Sequence, residues 1–197
     1  LKNKNKLIKL ESVKSNIDIK TFINKKFSLS ELDINTRTIE IKNLISFVRS
    51  IEDNPQIFIL EKFVKKGYLI ADINLKFDQK GNIKDDFIIK GFVKDGEVKP
   101  FKKIDLSKIN FIFTIQNNEF EFKDINLSYD KNDLKFPELI LIKQKNEFLI
   151  SGKNKNKNLV IDDKKINQLF NNDLSNLKIK SAEFDLENTF SFKINDK

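Results

Sequence analysis

The chain has 197 residues, of which 39% are apolar and 34% charged, and its formal net charge is +8. This apolar content exceeds that of a disordered segment, and no apolar run reaches the ~18–20 residues that a membrane-spanning helix needs. The sequence has no Cys and no His, which excludes disulfides, thiolate or imidazole metal ligands and Ser-His or Cys-His catalytic groups. It also has no Met, so we expect it to be part of a longer chain that carries any targeting sequence or anchor elsewhere.

The positive charge is carried almost entirely by lysine. Arg37 and Arg49 are the only arginines among 37 basic residues. Sites that clamp phosphates or recognise bases favour Arg, because its planar guanidinium can form two parallel hydrogen bonds. The charge therefore indicates compositional bias on solvated surfaces rather than nucleic-acid binding.

Helical spacing appears first in one early segment. Over about 42–66 the apolar residues recur every three or four positions, which predicts two short helices that meet at Asp53-Asn54. Asn54 suits the N-cap, Pro55 the first helical position and Gly67 the position just past the end.

From Leu69 onward apolar and polar residues alternate, which predicts an antiparallel meander of amphipathic strands. We expect turns at 79–82, 116–118 and 144–146, and a hairpin at Asp95-Gly96. Further along the chain, a one-residue slip in the alternation predicts a β-bulge near Lys123-Asp124.

The last part of the chain opens with a low-complexity run of alternating Lys and Asn at 153–158, similar to the run near the N-terminus. A short helix is predicted at 162–170, followed by renewed strand alternation. We therefore predict a β-groove segment over 1–152, with the helical insertion at 42–66, and the start of a following β repeat over 153–197.

Enzyme motifs are absent. Gly91 and Gly96 have the spacing of a phosphate-binding loop, but Glu97 stands where a lysine is needed. Neighbouring carboxylates such as Asp162-Asp163 lie next to predicted turns and among lysines, which is typical of solvated turn residues. We predict that the chain is not an enzyme and holds no cofactor and no metal.

The apolar side of the predicted strands needs a cover, because burying one Phe contributes about 1.5–3 kcal/mol. A second sheet could cover it, as in a sandwich. The helical segment at 42–66 could do so, or the sheet could curl into a trough whose apolar side meets lipid chains.

The stretch from 29 to 152 resembles the AsmA-like superfamily of bacterial envelope proteins. A strand pair (29–34 and 39–41) precedes the helices and a glycine-led strand; the block 91–98 is similar to the recurrent G-x-V-x-D-G-x-V hairpin; and 120–129, closed by 148–152, is similar to the family's strand pair. The resemblance covers about two thirds of the chain, and these motifs are degenerate and carry no catalytic residues.

This resemblance implies a long antiparallel β-sheet curled into an elongated apolar groove. It further implies a periplasmic location in a Gram-negative bacterium, an inner-membrane anchor outside this segment, and a part in phospholipid transport toward the outer membrane and in outer-membrane integrity. Phospholipid acyl chains and the two bacterial membranes would be the partners, without nucleic acid. The residues that we expect to line the groove are Ile73, Leu75, Phe77, Phe111, Phe113, Phe120 and Phe122.

Two other functions stay open at this point. One is a structural or interaction β-domain with a closed core and no ligand. The other is a nucleic-acid binder that stacks bases on Phe and neutralises phosphates with Lys. In the predicted strands, however, Phe and Lys alternate onto opposite sides.

Overall fold

The structure is a computed structural model, and it describes residues 9–24, 27–51, 55–101, 104–169 and 179–195. The helices are α1 (Ile19–Ile23), α2 (Ile41–Ile51), α3 (Pro55–Phe63) and α4 (Asp163–Leu169). The strands are β1 (Leu10–Ile17), β2 (Leu29–Thr36), β3 (Ile39–Glu40), β4 (Val64–Lys76), β5 (Ile88–Phe101), β6 (Ile104–Gln116), β7 (Glu119–Tyr129), β8 (Asn132–Lys143), β9 (Glu147–Asp162) and β10 (Ser181–Asn195).

The ten strands form a single antiparallel sheet. Its order is β1-β2-β4-β5-β6-β7-β8-β9-β10, and β3 pairs with β4 beside β2. Nearly every strand thus pairs with its neighbour in the chain, and in the described ranges β1 and β10 each have one partner, so the sheet is not closed into a barrel. The predicted fold class, a mainly β antiparallel meander with a short helical insertion, is confirmed.

The strand register aligns the apolar residues into a continuous surface, which we call the apolar face. We define it by one row of directly neighbouring residues that crosses nine strands: Val13, Ile34, Ile73, Ile89, Ile115, Phe120, Leu141, Ile150 and Phe192. The opposite side, the polar face, carries the residues between them, including Asp72, Lys90 and Thr114.

The alternation of faces is interrupted once in most of the long strands. Asp95 in β5, Lys108 in β6, Asp124 in β7 and Asn158 in β9 all have φ between 50° and 54°. Register irregularities accompany these residues in the pairings β5–β6, β6–β7 and β9–β10. Each break adds one residue, at the point where the alternation of apolar and polar residues in the sequence shifts by one position. The apolar side chains before and after the break therefore lie on the same face of the sheet. The bulge predicted near Lys123-Asp124 is confirmed.

The predicted hairpin at Asp95-Gly96 is wrong, because β5 runs through both residues to Phe101. A left-handed Asp followed by Gly suits the first residue of a hairpin turn, but it also suits the extra residue of a bulge. Here the Asp95 N–H donates to Asn110 Oδ1 on β6 at 3.1 Å, which keeps the neighbouring strand alongside.

The helical insertion is confirmed as α2 and α3, and α3 begins at Pro55 as predicted; Asn54 lies outside the described residues. Gly67, predicted to follow the helix, instead lies within β4 with φ 144°. A Cβ at this position would lie 3.0 Å from Ile41 Cδ1 and 3.1 Å from Gly96 Cα. The close approach of α2 and β5 therefore explains this glycine.

Helices cover the apolar face in two places. α2 packs against β4, and Ile41 joins a cluster built on Ala71, Val93 and Phe113. α4 (predicted as 162–170) packs against β9 and β10, with Ile166 and Leu159 buried. Within the described ranges, none of the helices has the length and apolar content that crossing a membrane requires.

The Lys/Asn run at 153–158 is part of β9, so the boundary predicted between 152 and 153 falls inside a strand of one sheet. Asn154 and Asn156 are buried, whereas Lys153, Lys155 and Lys157 are exposed. The run thus forms an amphipathic strand in which asparagine occupies the inner positions. Whether 153–197 begins a repeat stays a prediction.

Candidate functional site

All seven residues predicted to line a groove project from the apolar face. Ile73 and Leu75 lie on β4, and Phe77 follows them through an isolated bridge to Ile83. The other four are Phe111 and Phe113 on β6 and Phe120 and Phe122 on β7.

Three of the four phenylalanines on β6 and β7 form one aromatic group. Phe111 lies 6.2 Å from Phe113 and 5.5 Å from Phe122 between ring centroids, both in edge-to-face geometry. Such pairs stabilise by about 0.5–1.5 kcal/mol beyond their buried area. Phe77 lies apart from this group and instead packs against Phe27, with ring centroids 5.7 Å apart.

Phe113 is packed within the protein rather than open to a ligand. Only 8% of it is exposed, and its ring lies over Gly91 on the neighbouring strand, where an added Cβ would come within 2.5 Å of Phe113 Cζ. Phe190 covers Gly152 in the same way. These glycines make room for rings in one row across the sheet, and the predicted role of Phe113 as a lining residue is the weakest of the seven.

Sequence reasoning missed part of the face. Ile34, Ile89, Leu141, Ile150 and Phe192 belong to the same row as Ile73 and Phe120. The sequence shows the alternation of apolar and polar residues within each of these strands. It does not show which face of one strand aligns with which face of the neighbouring strand.

The apolar face becomes more accessible toward the edges of the sheet. Val13 on β1 and Phe192 on β10 are about half exposed, at 52% and 48%. No second sheet packs on this face among the described residues. Away from α2 and α4, the face is therefore an extended apolar surface.

A strip of asparagines interrupts the apolar face in the middle of β9 and β10. Asn154 Nδ2 donates to Asn188 Oδ1 at 2.6 Å, and Asn156 Nδ2 donates to Asn154 Oδ1 at 3.2 Å. Asn156 Oδ1 also accepts the backbone N–H of Lys135 at 2.6 Å. Because these amides satisfy one another and the backbone, their burial does not leave unpaired polar atoms.

The polar face carries ion pairs between neighbouring strands. Lys153 and Glu138, directly opposite in β9 and β8, pair at 3.0 Å. Lys76 pairs with Asp86 at 2.9 Å, and their hydrogen bond raises the pKa of Lys76 and lowers that of Asp86. Ion pairs as exposed as these add little to the stability of the fold, but their charges keep this side of the sheet solvated.

Two of the predicted lining residues border recesses of the surface: Phe77 borders one of about 330 Å³, together with Phe27, and Ile73 borders one of about 230 Å³. Two further recesses contain none of the seven. One of about 470 Å³ is lined by polar-face residues around the turn at Asn117-Asn118, including Thr114, Glu119 and Glu121. Another, also about 470 Å³, lies where β8 and β9 separate, between Lys135 and Lys155. In the described part of the chain no group of three or more acidic residues is placed to hold a metal ion.

Comparison of the chain with family models, with curated proteins and with solved structures gives no significant match. The candidate site therefore rests on the geometry of the apolar face alone.

Proposed function

We propose that this chain is a non-enzymatic segment whose apolar face binds the acyl chains of phospholipids. The observation that carries the proposal is the row of apolar residues that crosses nine antiparallel strands, from Val13 to Phe192. Removing such a surface from water is favourable by about 25 cal/mol per Å². An acyl chain offers the matching apolar surface and needs no hydrogen bond in return.

The chemistry of the face sets the selectivity that we expect. The row holds side chains of Val, Ile, Leu and Phe, which offer no donor or acceptor to a headgroup. Binding should therefore depend on acyl length and area, with little preference for one headgroup. The ion pairs of the polar face keep the opposite side of the same strands solvated.

The biological setting of the proposal is phospholipid transport across the periplasm of a Gram-negative bacterium, with a contribution to outer-membrane biogenesis and integrity. Its support is the resemblance of 29–152 to the AsmA-like superfamily. An open antiparallel meander is the fold that this resemblance leads us to expect. An anchor in the inner membrane would lie outside this segment.

A structural or interaction domain without ligand is the competing function. It is favoured beneath α2, where Ile41 packs against the cluster of Ala71, Val93 and Phe113. Under this alternative, protein would also cover the rest of the face.

The test is native mass spectrometry with lipid extraction of the purified chain, comparing Ile115→Asp with Ile112→Asp. Both residues are isoleucines of β6, but Ile115 belongs to the apolar face, whereas Ile112 lies on the opposite face and is 47% exposed. We expect phospholipid on the unsubstituted chain and on Ile112→Asp, and its loss from Ile115→Asp with an unchanged circular dichroism spectrum. A chain free of lipid that unfolds cooperatively, or equal lipid content in both variants, would contradict the proposal.

A further inference from the structure

Helix α3 is apolar on most of its surface, yet the fold leaves it largely uncovered. Its sequence is Pro-Gln-Ile-Phe-Ile-Leu-Glu-Lys-Phe, and none of its nine residues is buried. Phe58 is 39% exposed, and Ile59 and Leu60 are each 48% exposed. A helix that is apolar all round is normally enclosed on all sides. We therefore expect the outward side of α3 to be covered by something other than this sheet.

The neighbouring helix α2 is of the opposite kind. It packs against β4 with Ile45 buried, whereas Lys42, Arg49 and Ser50 are exposed. Among the side chains of α2 that the structure describes, Phe47 is the only large apolar one that is exposed. This is the usual pattern of an amphipathic surface helix. The helical insertion thus combines one helix suited to water with one that is not.

Contacts with α2 determine which side of α3 points outward. Ser46 Oγ donates to Glu61 Oε1 at 3.1 Å, and Arg49 forms an ion pair with the other carboxylate oxygen of Glu61. Glu61 therefore faces α2, and Ile59, two residues earlier, points about 160° away from it around the helix axis. The exposed apolar arc is thus centred on Ile59 and held in place by a polar contact behind it.

The rim of this arc is cationic. Lys62 Nζ lies 4.2 Å from the centroid of the Phe58 ring, and Lys65 Nζ donates to the Lys62 carbonyl at 2.5 Å. Among the described residues, neither lysine forms an ion pair with a carboxylate. From 55 to 66 the only acidic residue is Glu61, which pairs with Arg49. The acidic residues at 52 and 53 precede α3 and lie outside the described residues.

A phospholipid bilayer matches both parts of this surface. The arc of Phe58, Ile59 and Leu60 has no side-chain donor or acceptor. The backbone of a helix forms its hydrogen bonds largely within itself, so such an arc can enter a layer of acyl chains without leaving polar groups unpaired. Lysines at the rim can keep their stems on apolar surface while their ammonium groups reach the phosphates.

We propose that α3 docks this protein on the surface of a phospholipid bilayer, with Ile59 and its two neighbours among the acyl chains and Lys62 and Lys65 at the headgroup phosphates. Since α3 contacts α2, and α2 packs on the apolar face, the docked helix brings this face close to the bilayer. The proposal goes beyond acyl-chain binding by the apolar face and does not rest on it.

Tryptophan fluorescence tests the position of the helix, because the sequence has no Trp. Ile59→Trp places one indole at the centre of the arc. Ile112→Trp is the control, since Ile112 is an isoleucine of the polar face with the same exposure, 47%. With vesicles of phosphatidylethanolamine and about a quarter phosphatidylglycerol, we expect a blue shift and quenching by brominated acyl chains for Ile59→Trp only. Equal responses of the two variants, or no response of Ile59→Trp, overturn the proposal.

Flotation with the same vesicles measures binding itself. Ile59→Glu should lower the bound fraction about tenfold, because a charge among acyl chains is unfavourable, whereas Ile112→Glu should leave it unchanged. Both residues are about half exposed, so the fold should tolerate both substitutions, and circular dichroism checks this. An equal loss in the two variants, or flotation that Ile59→Glu leaves intact, contradicts docking through α3. An unsubstituted chain that does not float overturns the proposal and leaves a protein partner as the cover of α3.

Ile115→Asp separates this proposal from the proposed function. This substitution is directed against lipid on the apolar face, so the variant should lose bound phospholipid and still float with vesicles. A variant that no longer floats would mean that the apolar face, and not α3, binds the bilayer.

Lys62→Gln tests the cationic rim. It should weaken binding to the anionic vesicles about fivefold, and more than binding to vesicles of phosphatidylcholine alone. Lys90→Gln makes the same change of charge on the polar face and should have no effect. Equal effects of the two variants contradict a contact between Lys62 and the headgroups.

Discussion

At the end of β2, the side chain of Thr36 accepts a hydrogen bond that a backbone carbonyl of a neighbouring strand would otherwise accept. Its side chain is buried, and Oγ1 accepts the N–H of Ala71 at 2.8 Å. Ala71 is itself 4% exposed, so water cannot take over this hydrogen bond. The hydroxyl therefore holds together the interrupted edge of β4 between β2 and β3.

We predict that Thr36→Val lowers the free energy of unfolding by about 1–3 kcal/mol, because it leaves a buried N–H without an acceptor. Thr36→Ser keeps the hydroxyl and should lose less than about 1 kcal/mol. Denaturant unfolding of both variants measures the difference. Equal losses would mean that the methyl group of Thr36, and not its hydroxyl, matters.

Backbone conformation at the breaks in the strands follows residue type closely. Among the described residues six non-glycine residues have positive φ. Five of them are Asp or Asn, which adopt the left-handed region most readily: Asp95, Asn117, Asp124, Asp130 and Asn158. The exception is Lys108, with φ 50°. Its carbonyl accepts Asn110 Nδ2 at 2.7 Å, just as the Asp124 carbonyl accepts Asn126 Nδ2 at 2.8 Å.

At this scale we predict that Lys108→Asn raises the free energy of unfolding by up to about 1 kcal/mol, since Asn pays less for the left-handed conformation. The backbone hydrogen bond from Asn110 is unaffected by the substitution. Lys94→Asn, an exposed position in β5, is the control and should be neutral or slightly destabilising. Thermal unfolding of the two variants decides; stabilisation by both would point to charge reduction instead.

Sequence patterns predicted the elements well where the signal was local. Alternation located the strands, and spacing of three and four located α2 and α3. The signal at Asp95-Gly96 failed because one local conformation serves both a hairpin and a bulge. The strand at 153–158 was not recognised because Lys and Asn have low strand propensity, and pairing with β10 on one side compensates for it. α1 was missed because five residues capped by Asp18 carry little periodicity.

The candidate site was predictable residue by residue but not as a surface. The seven predicted residues share a face, yet their alignment with Ile34 or Phe192 depends on pairings far apart in the chain. The burial of Phe113 was equally unpredictable from the sequence, because it depends on Gly91 of β5 lying directly opposite Phe113 of β6.

The titration behaviour of the whole molecule follows from its exposed ion pairs and turns. Hydrogen bonds from Asn82 hold the pKa of Asp78 below its usual 3.8, and the hydrogen bond with Lys165 lowers that of Asp130. The same kind of bond raises the pKa of Lys99 and Lys123 above 10.5.

We therefore predict a thermal midpoint that stays level from about pH 5 to pH 9. The lowered carboxyl pKa values contribute stability that is present above pH 3.8 and is lost as the pH falls through the folded values. The raised lysine pKa values contribute stability that is present below pH 10.5 and lost as the pH rises through the folded values. Without histidine, no side chain ordinarily titrates between pH 5 and 8. Thermal melts across this range check the plateau; a step near pH 6 or 7 would contradict it.

The breaks in the strands also bear on how the sheet selects one arrangement while it folds. In a uniform amphipathic meander, two neighbouring strands can slide past each other by two residues without exchanging their faces. Here a slide would move Asp95 away from Asn110 on β6, to which its N–H donates, and the faces beyond the break would no longer match. The breaks thus select one register, because only in that register do β5, β6 and β7 keep their apolar residues together along their full length.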